Sequence, residues 1–392
     1  MAIGRVLVCD DSDGSRAEFV ASINQAMGIE VAENHTGKDL KEAIAALIRG
    51  ETGGTLFDGA DVAVIDNRLI DDWTADDDPK VSAEQLADLV RISSTAGVVV
   101  ILNQYREIDF DLRLDGRLDS YADLNITDKC LDCANLWKEE PPRGFRPWAW
   151  PVLPRLVEQM RRRQDWLLAE GRLDQSVLQA LELNSERIVR SLSRAATDFL
   201  HPTIAPDAVT FREFVEGATR STDGKHRGDF AADDRLVAKI AAARIGKWLE
   251  STVLGPQDLL VDVPHLLERF SILVNDPGSL DSWNAAVSWS ETTGFRSERI
   301  RAFEWGLWRD WLGRPAYLWP LLQEDDALAT EQFAPDAVVP AEAGFCEDVS
   351  RFLPIDETSE FVANFDSAFD RRRVRRDRQG KFVYGPASRL AR

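Results

Sequence analysis

The chain of 392 residues has little of what marks a secreted or membrane-bound protein. It contains only four cysteines, too few for the disulfide framework of a secreted scaffold. No apolar run approaches the roughly 18 residues that a membrane span needs, and the first residues lack the charged and apolar regions of a signal peptide. We therefore expect a cytoplasmic protein with reduced thiols and no membrane association.

The net charge of −20 is unevenly distributed along the chain. Residues 1–140 hold 29 acidic and 13 basic side chains, whereas residues 141–392 hold 38 and 34. Acidity concentrated at one end opposes non-specific binding of nucleic acid there, because the phosphates would be repelled.

Short apolar runs alternate with helical patterns over the first 100 residues. The runs are rich in β-branched residues, indicate buried strands, and cover residues 4–9, 61–66 and 97–103. Apolar side chains at helical spacing predict helices at 15–28, 38–49 and 82–95. Strands that alternate with helices imply crossover connections, so the sequence predicts an α/β fold with a parallel sheet covered on both faces.

Polar side chains follow three of the predicted strand segments. Asp10 and Asp11 come after the first, Asp66 ends the second and Asn103 ends the third. Ligands of parallel sheets bind at the carboxyl ends of the strands, so these side chains are expected to share one edge. Carboxylate oxygens are the ligands that Mg²⁺ prefers, and an aspartate beside the metal can act as a nucleophile toward phosphorus.

The order of these segments resembles the receiver domain of two-component response regulators. The resemblance is carried by residues 6–12 with Arg16, by 62–66, by 98–103 and by 122–129. It covers about 140 residues and implies a flavodoxin-like, doubly wound sheet. It also implies that the protein is phosphorylated by a histidine kinase or a phosphotransfer protein.

Site roles follow from this resemblance. It implies that Asp10, Asp11, Asp66 and the backbone carbonyl of Arg68 hold Mg²⁺, and that Asp66 is the phosphoacceptor. Lys129 would contact the phosphate, and Asn103 stands where the family has a switch serine or threonine. The spacing of 55 residues from Asp11 to Asp66 is long for the family and implies loop insertions.

The rest of the chain gives weaker signals. A Pro-rich linker is predicted at 141–154, a helical output domain at 155–325, and a loop-rich C-terminal region with a basic tail at 326–392. A helix predicted at 153–170 either closes the first domain or begins the second, and the longest helices predicted after it cover 174–199, 233–251, 256–274 and 297–312. We expect this domain to act through an unknown protein partner.

Two other functions remain open at this stage. Asp11 and Asp13 follow a strand as in haloacid-dehalogenase-like phosphohydrolases, where the first aspartate is the nucleophile and the second an acid or base. The basic run at 371–378 could contact the phosphates of nucleic acid or an acidic partner, although no nucleic-acid-binding motif accompanies it. The favoured interpretation is a regulatory protein whose own chemistry is limited to phosphoryl acceptance and autodephosphorylation.

Overall fold

A computed structural model of the chain describes most of its residues. The described residues are 3–67, 69, 79–102, 110–111, 120–126, 131, 134–138, 152–219, 233–287, 297–325, 343–360, 372–378 and 382–383. The chain forms two compact units, each assembled from separate segments. The first combines Met1–Arg143, Trp150–Leu173 and Thr219–Lys247, and the second combines Gly144–Ala149, Asp174–Ala218 and Trp248–Arg392.

The first unit is built on strands that alternate with helices. Its strands are β1 (Val6–Cys9), β2 (Ala32–Glu33), β3 (Val62–Asp66), β4 (Val98–Leu102), β5 (Phe110–Asp111) and β6 (Leu124–Ile126). Its helices are α1 (Asp13–Met27), α2 (Gly37–Ile48), α3 (Ala83–Ser93), α4 (Ala134–Trp137), α5 (Leu153–Leu167) and α10 (Asp234–Trp248), whose last residue belongs to the second unit. The three helices predicted over the first 95 residues are confirmed to within two residues at each end.

Five of these strands form one parallel sheet in the order β2-β1-β3-β4-β6. Every residue of β1, β3, β4 and β6 is buried, as expected of a sheet covered on both faces. Leu7, Ala63 and Val99 pack in one core with side chains of α2 and α3. The predicted α/β architecture with a parallel sheet is therefore confirmed.

Local side chains explain where the helices begin and end. Thr36 and Asp39 form a capping box at the start of α2, and Ser82 and Gln85 form another at the start of α3. Gly28 ends α1 with a φ of 71°, a left-handed conformation that glycine adopts without strain. These signals are local in the sequence, which is why the helices of the first unit could be predicted from it.

The first unit extends well beyond the predicted boundary at residue 140. α10, which the sequence placed in the output domain, belongs to the same unit as the parallel sheet, and so does α5, for which the sequence left both domains open. α5 contributes Leu153, Val157, Met160 and Leu167 to buried positions, as its amphipathic pattern requires. The sheet is thus covered partly by helices that the chain supplies much later.

Two buried lysines fix α10 to the first unit. The Lys239 ammonium donates hydrogen bonds to the carbonyls of Ser94 and Val90 at the end of α3. The Lys247 ammonium donates to the carbonyls of Ser120, at 2.9 Å, and of Ala122. Lysines are rarely buried, and here each satisfies main-chain carbonyls that have left water.

Because Lys239 is buried, its contribution to the free energy of unfolding depends on pH. Loss of hydration, reinforced by the charge of Arg91, lowers the pKa of Lys239 to about 7. Between this value and the ordinary pKa of 10.5 the folded state holds fewer protons than the unfolded state. The free energy of unfolding therefore rises with pH across this window, by at most about 1.4 kcal/mol per pH unit for one proton. We expect Lys239→Met to remove this rise, measured as the difference between wild type and variant in denaturant unfolding from pH 7 to 10.

The same substitution at an exposed lysine is the matched control. Lys38 lies on α2 with 82% of its side chain exposed, so Lys38→Met should leave the pH dependence as in the wild type. If the free energy of unfolding of Lys239→Met rises with pH as steeply as that of the wild type, Lys239 does not titrate between pH 7 and 10.

The second unit combines short helices with small sheets. Its helices are α6 (Val177–Ala180), α7 (Glu186–Ser191), α8 (Arg194–Leu200), α9 (Phe211–Thr219), α11 (Val263–Arg269), α12 (Leu280–Ala286), α13 (Trp308–Trp311) and α14 (Trp319–Leu322), with a π-helix at Leu249–Leu254. Its strands are β7 (Leu260–Asp262), β8 (Ala316–Leu318), β9 (Ala343–Cys346), β10 (Arg351–Pro354), β11 (Thr358–Glu360), β12 (Arg373–Arg375) and β13 (Phe382–Val383). No helix in the part of the chain described by the structure has the length and apolarity to cross a membrane.

Of the four long helices predicted after residue 170, the one at 233–251 is confirmed by α10 and the π-helix that follows it, whereas the other three are wrong. Residues 174–199 contain α6, α7 and most of α8 instead of one helix. Ser185 and Ser193 interrupt the pattern, and each hydroxyl accepts a hydrogen bond from the backbone N–H three residues later. Serine competes for backbone hydrogen bonds inside a helix and is favoured at its start, so each of these residues begins a new helix.

The C-terminal region contains a four-stranded sheet in addition to loops. Its order is β10-β9-β12-β11, with β9 and β12 parallel and the two outer pairs antiparallel. Trp283 of α12 packs edge-on against Phe352 of β10, which packs in turn against Phe345 of β9. The basic run predicted as a tail supplies β12, so part of that prediction is wrong.

Candidate functional site

Two carboxylates lie side by side at the carboxyl edge of the parallel sheet. β1 and β3 are parallel neighbours with Cys9 opposite Ile65, so the next residues along the two strands are Asp10 and Asp66. Both aspartates are only 2% exposed. The half-buried Asp11 follows at the start of the loop into α1. The sheet therefore brings together three of the predicted site residues.

Hydrogen bonding leaves part of Asp10 unsatisfied. Its Oδ1 accepts a hydrogen bond of 2.8 Å from the backbone N–H of Ser12, whereas its buried Oδ2 has no hydrogen-bond donor among the residues that the structure describes. Burial and the negative charges of Asp66 and Asp11 raise the pKa of Asp10 to about 7, although Ser12 and Arg16 act in the opposite direction. A buried carboxylate in this condition favours the approach of a cation or a proton.

Arg16 is a basic side chain at the carboxyl edge of the parallel sheet. It is 2% exposed, donates a hydrogen bond of 2.8 Å from Nη1 to the Asp10 carbonyl, and pairs through Nη2 with Asp13. Arg16 therefore contacts the main chain of Asp10 and leaves the carboxylate of that residue to other partners. The pairing with Arg16 holds the pKa of the exposed Asp13 carboxyl below its ordinary value.

Three further predicted site residues, Arg68, Asn103 and Lys129, lie outside the described residues. Within the described residues, no group of three or more His, Cys, Asp or Glu side chains is arranged to hold a metal ion. What the structure places at the sheet edge is thus a pair of buried carboxylates with Asp11 beside them.

A second polar cluster, which the sequence did not predict, is buried in the second unit. His265 of α11 donates from Nδ1 to Asp262 at 2.5 Å and from Nε2 to Glu347 at 3.1 Å. Arg372 donates to Glu347 at 2.8 Å and also to the carbonyl of Gly255. Asp262 and His265 are close in the sequence, Glu347 and Arg372 come from distant segments, and the four charged side chains are at most 10% exposed. We call Asp262, His265, Glu347 and Arg372 the histidine network.

Both ring nitrogens of His265 face carboxylates, so both must carry hydrogen. Burial opposes this charge, but Asp262 and Glu347 outweigh it and raise the pKa of His265 to about 9. A general base needs one free ring nitrogen, and this imidazolium has both engaged. The histidine network is therefore built to hold segments together rather than to exchange protons near neutral pH.

Only one part of the histidine network has a sequence signal. Asp262 and His265 are three residues apart and begin a helix, a spacing that could have been noticed. Glu347 is 82 residues from His265, and no local pattern links the two. Further from the centre, Arg314 pairs with Glu250 at 2.7 Å and approaches Asp262 at 3.6 Å.

Three arginines of the C-terminal run are paired with acidic side chains of the protein. Arg372 is buried in the histidine network, Arg373 pairs with Glu360, and Arg375 pairs with Asp377. Alternation along β12 explains the run, because the buried Val374 points to the opposite face from its two half-buried neighbours. These three side chains are consequently already paired with acidic groups of the same chain.

Comparison with protein-family models, with curated proteins and with solved structures found no match to this chain.

Proposed function

We propose that this protein is a response-regulator-like signalling protein in which Asp66 of the first unit accepts a phosphoryl group and the second unit is the output. The observation that carries the proposal is the position of Asp10 and Asp66, which are both buried and lie at the carboxyl ends of neighbouring parallel strands. The strand order β2-β1-β3-β4-β6 supports it, because flavodoxin-like receiver folds follow this order.

Mg²⁺ is the cofactor that the proposal requires, and Asp10 provides the test of whether the site suits it. Mg²⁺ is commonly held by one or two carboxylates together with phosphate oxygens and water. The buried Oδ2 of Asp10, which lacks a hydrogen-bond donor within the described part of the chain, is a ligand of this kind. The resemblance assigns the ion to Asp10, Asp11, Asp66 and the Arg68 carbonyl. Among the described residues the three carboxylates do not already form a metal site, so binding of the ion would have to draw them together. When bound, it would neutralise charge on the transferred group.

The chain's own residues would perform the transfer. A carboxylate oxygen of Asp66 attacks the phosphorus of a small phosphodonor or of a phosphohistidine, the bond from phosphorus to the leaving group breaks, and that group departs with the electron pair. Lys129 would pair with the new phosphate and Asn103 would donate a hydrogen bond to it. A histidine kinase or phosphotransfer protein would supply the phosphoryl group, and the second unit would act on a protein partner.

Intact mass spectrometry tests the proposal. We expect acetyl phosphate with Mg²⁺ to add one phosphoryl group to the full chain, and both Asp66→Asn and removal of Mg²⁺ by EDTA to abolish the adduct. Asp165→Asn, on the exposed side of α5, is the matched control and should be phosphorylated like the wild type. A wild-type chain without an adduct, or an adduct that survives in Asp66→Asn, would contradict the assignment.

The phosphohydrolase alternative has less support from the geometry. It requires Asp13 as a general acid or base, and such groups work best with a pKa near the operating pH. Asp13 is 80% exposed, and Arg16 lowers the pKa of its carboxyl. An adduct that depends on Asp11 and turns over would favour this alternative. The nucleic-acid alternative is weakened because Arg372, Arg373 and Arg375 are paired within the chain.

A further inference from the structure

The Arg16 side chain connects the two ends of the loop between β1 and α1. Its Nη1 donates a hydrogen bond of 2.8 Å to the carbonyl of Asp10, the first residue after β1, and its Nη2 pairs with Asp13, the first residue of α1. The Asp13 carboxyl also accepts a hydrogen bond from the backbone N–H of Gly37, where α2 begins. The main chain of Asp10 is therefore held by contacts that extend to the next helix of the first unit.

A fixed main chain at Asp10 determines where its carboxylate lies. Oδ1 accepts the hydrogen bond from the Ser12 backbone N–H, whereas the buried Oδ2 has no donor in the described part of the chain. Because Arg16 donates to the carbonyl of Asp10, it orients this residue without occupying Oδ2. A ligand that is oriented before binding loses less conformational freedom when a metal ion arrives.

A second arginine of the first unit makes the same kinds of contact away from the candidate site. Arg91 of α3 is fully buried, donates from Nη1 to the carbonyl of Gly97 at 2.8 Å, and pairs through Nη2 with Asp123. Gly97 directly precedes β4 and so lies at the amino end of that strand, opposite to the edge that carries Asp10. Of the two arginines, Arg16 is the one that holds a candidate metal ligand.

We propose that Arg16 is a positioning residue, which presents the Asp10 carboxylate to Mg²⁺ by holding the Asp10 main chain. This role rests on the proposed function, since it requires that the ion bind at the carboxyl edge of the sheet. The charge of Arg16 acts in the opposite direction, because a nearby cation repels Mg²⁺. Electrostatic repulsion alone would make removal of Arg16 strengthen binding of the ion, whereas loss of positioning weakens it. The sign of the change therefore separates the two effects.

Isothermal titration calorimetry of the full chain with Mg²⁺, without a phosphodonor, measures this sign. We expect Arg16→Met to bind Mg²⁺ about 10–100-fold more weakly than the wild type, the usual consequence of removing a residue that orients a metal ligand. Arg91→Met is the matched control, because it removes an equally buried arginine with the same kinds of contact. Its affinity for Mg²⁺ should stay within about twofold of the wild type, as for distant sites. Circular dichroism checks that both variants are folded.

The outcomes distinguish the role of Arg16 from the proposed function itself. If the wild type binds Mg²⁺ and Arg16→Met binds it equally or more tightly, or if Arg91→Met is weakened as much as Arg16→Met, the role of Arg16 is overturned and the proposed function stands. A wild-type chain that binds no Mg²⁺ would contradict both.

Lysine variants replace the pair if either methionine variant does not fold. Arg16→Lys and Arg91→Lys keep the charge but lack the planar fork of donors that reaches two acceptors. At constant charge, weaker binding by Arg16→Lys comes from lost positioning. We expect Arg16→Lys to bind Mg²⁺ more weakly than Arg91→Lys, and equal affinities would overturn the role of Arg16.

Discussion

Residues 1–140 expressed alone will not give a cooperatively folded domain, although they contain all five strands of the parallel sheet. This fragment lacks α5 and α10, which belong to the same compact unit. Four apolar side chains of α5 are buried, and each contributes about 1.5–3 kcal/mol when fully buried. Their loss alone approaches the about 5–15 kcal/mol by which a typical domain is stable. The loss of α10 adds to this deficit.

Thermal unfolding followed by circular dichroism measures this result. We expect a broad, non-cooperative change for residues 1–140 and a cooperative transition for residues 1–247, which restore both helices. The longer fragment also contains Asp174–Ala218, a segment of the second unit, so hydrogen exchange should show protection in β1, β3 and β4 but not in that segment. A sharp transition for residues 1–140 would show that the predicted boundary is also a folding boundary.

The strands of the first unit were predictable from the sequence, whereas the role of its late helix α10 was not. β1, β3 and β4 are buried on both faces, and such strands are continuous apolar runs of recognisable length. Their parallel pairing follows from the helices between them, which is why Asp10 and Asp66 could be placed at one edge from the sequence. The sequence was misleading at Lys239 and Lys247, which are buried. A lysine in a helix predicts a solvent-exposed face, and the carbonyl that accepts from Lys239 is 145 residues away.

The second unit was less predictable for a related reason. Its stability depends on buried charges whose partners are far apart in the sequence, such as His265 and Glu347. A charged run such as that around Arg372 is usually a solvated surface, and only three-dimensional pairing distinguishes the buried Arg372 from the half-buried Arg373. Local sequence patterns therefore could not predict that His265, Glu347 and Arg372 meet. They also did not predict strand β12, which begins directly after Arg372.

His265→Gln will destabilise the second unit by about 3–5 kcal/mol, the usual cost of removing one partner from a buried ionic group. The substitution leaves Asp262 and Glu347 without the cation between them, and a glutamine amide cannot supply a charge to both. Denaturant unfolding followed by tryptophan fluorescence reports the loss, because Trp283, Trp305 and Trp311 are buried in this unit. Hydrogen exchange in β9 and α11 should accelerate in parallel.

The chain contains a matched control for this substitution. His35 also pairs with a glutamate, Glu33, at 2.9 Å, but the two side chains are 21% and 46% exposed. Exposed ion pairs contribute about 0–1 kcal/mol, so His35→Gln should change the free energy of unfolding by no more than this. Equal effects of the two substitutions would mean that burial does not strengthen the histidine network.

The pH dependence of the His265→Gln effect provides a second, independent measurement. The pKa of His265 is raised from an ordinary 6.5 to about 9 in the folded protein, so the folded state binds a proton more tightly than the unfolded state does. This stabilisation is fully present below pH 6.5 and is lost as the pH rises through 9. The difference in unfolding free energy between wild type and His265→Gln should therefore be largest near pH 6 and should shrink steadily toward pH 10. A difference that stays constant over this range would show that the imidazolium charge contributes nothing and that the loss comes from packing.

Lys239 gives the first unit a rise in stability between pH 7 and 10.5, so the two units should respond to pH with opposite slopes.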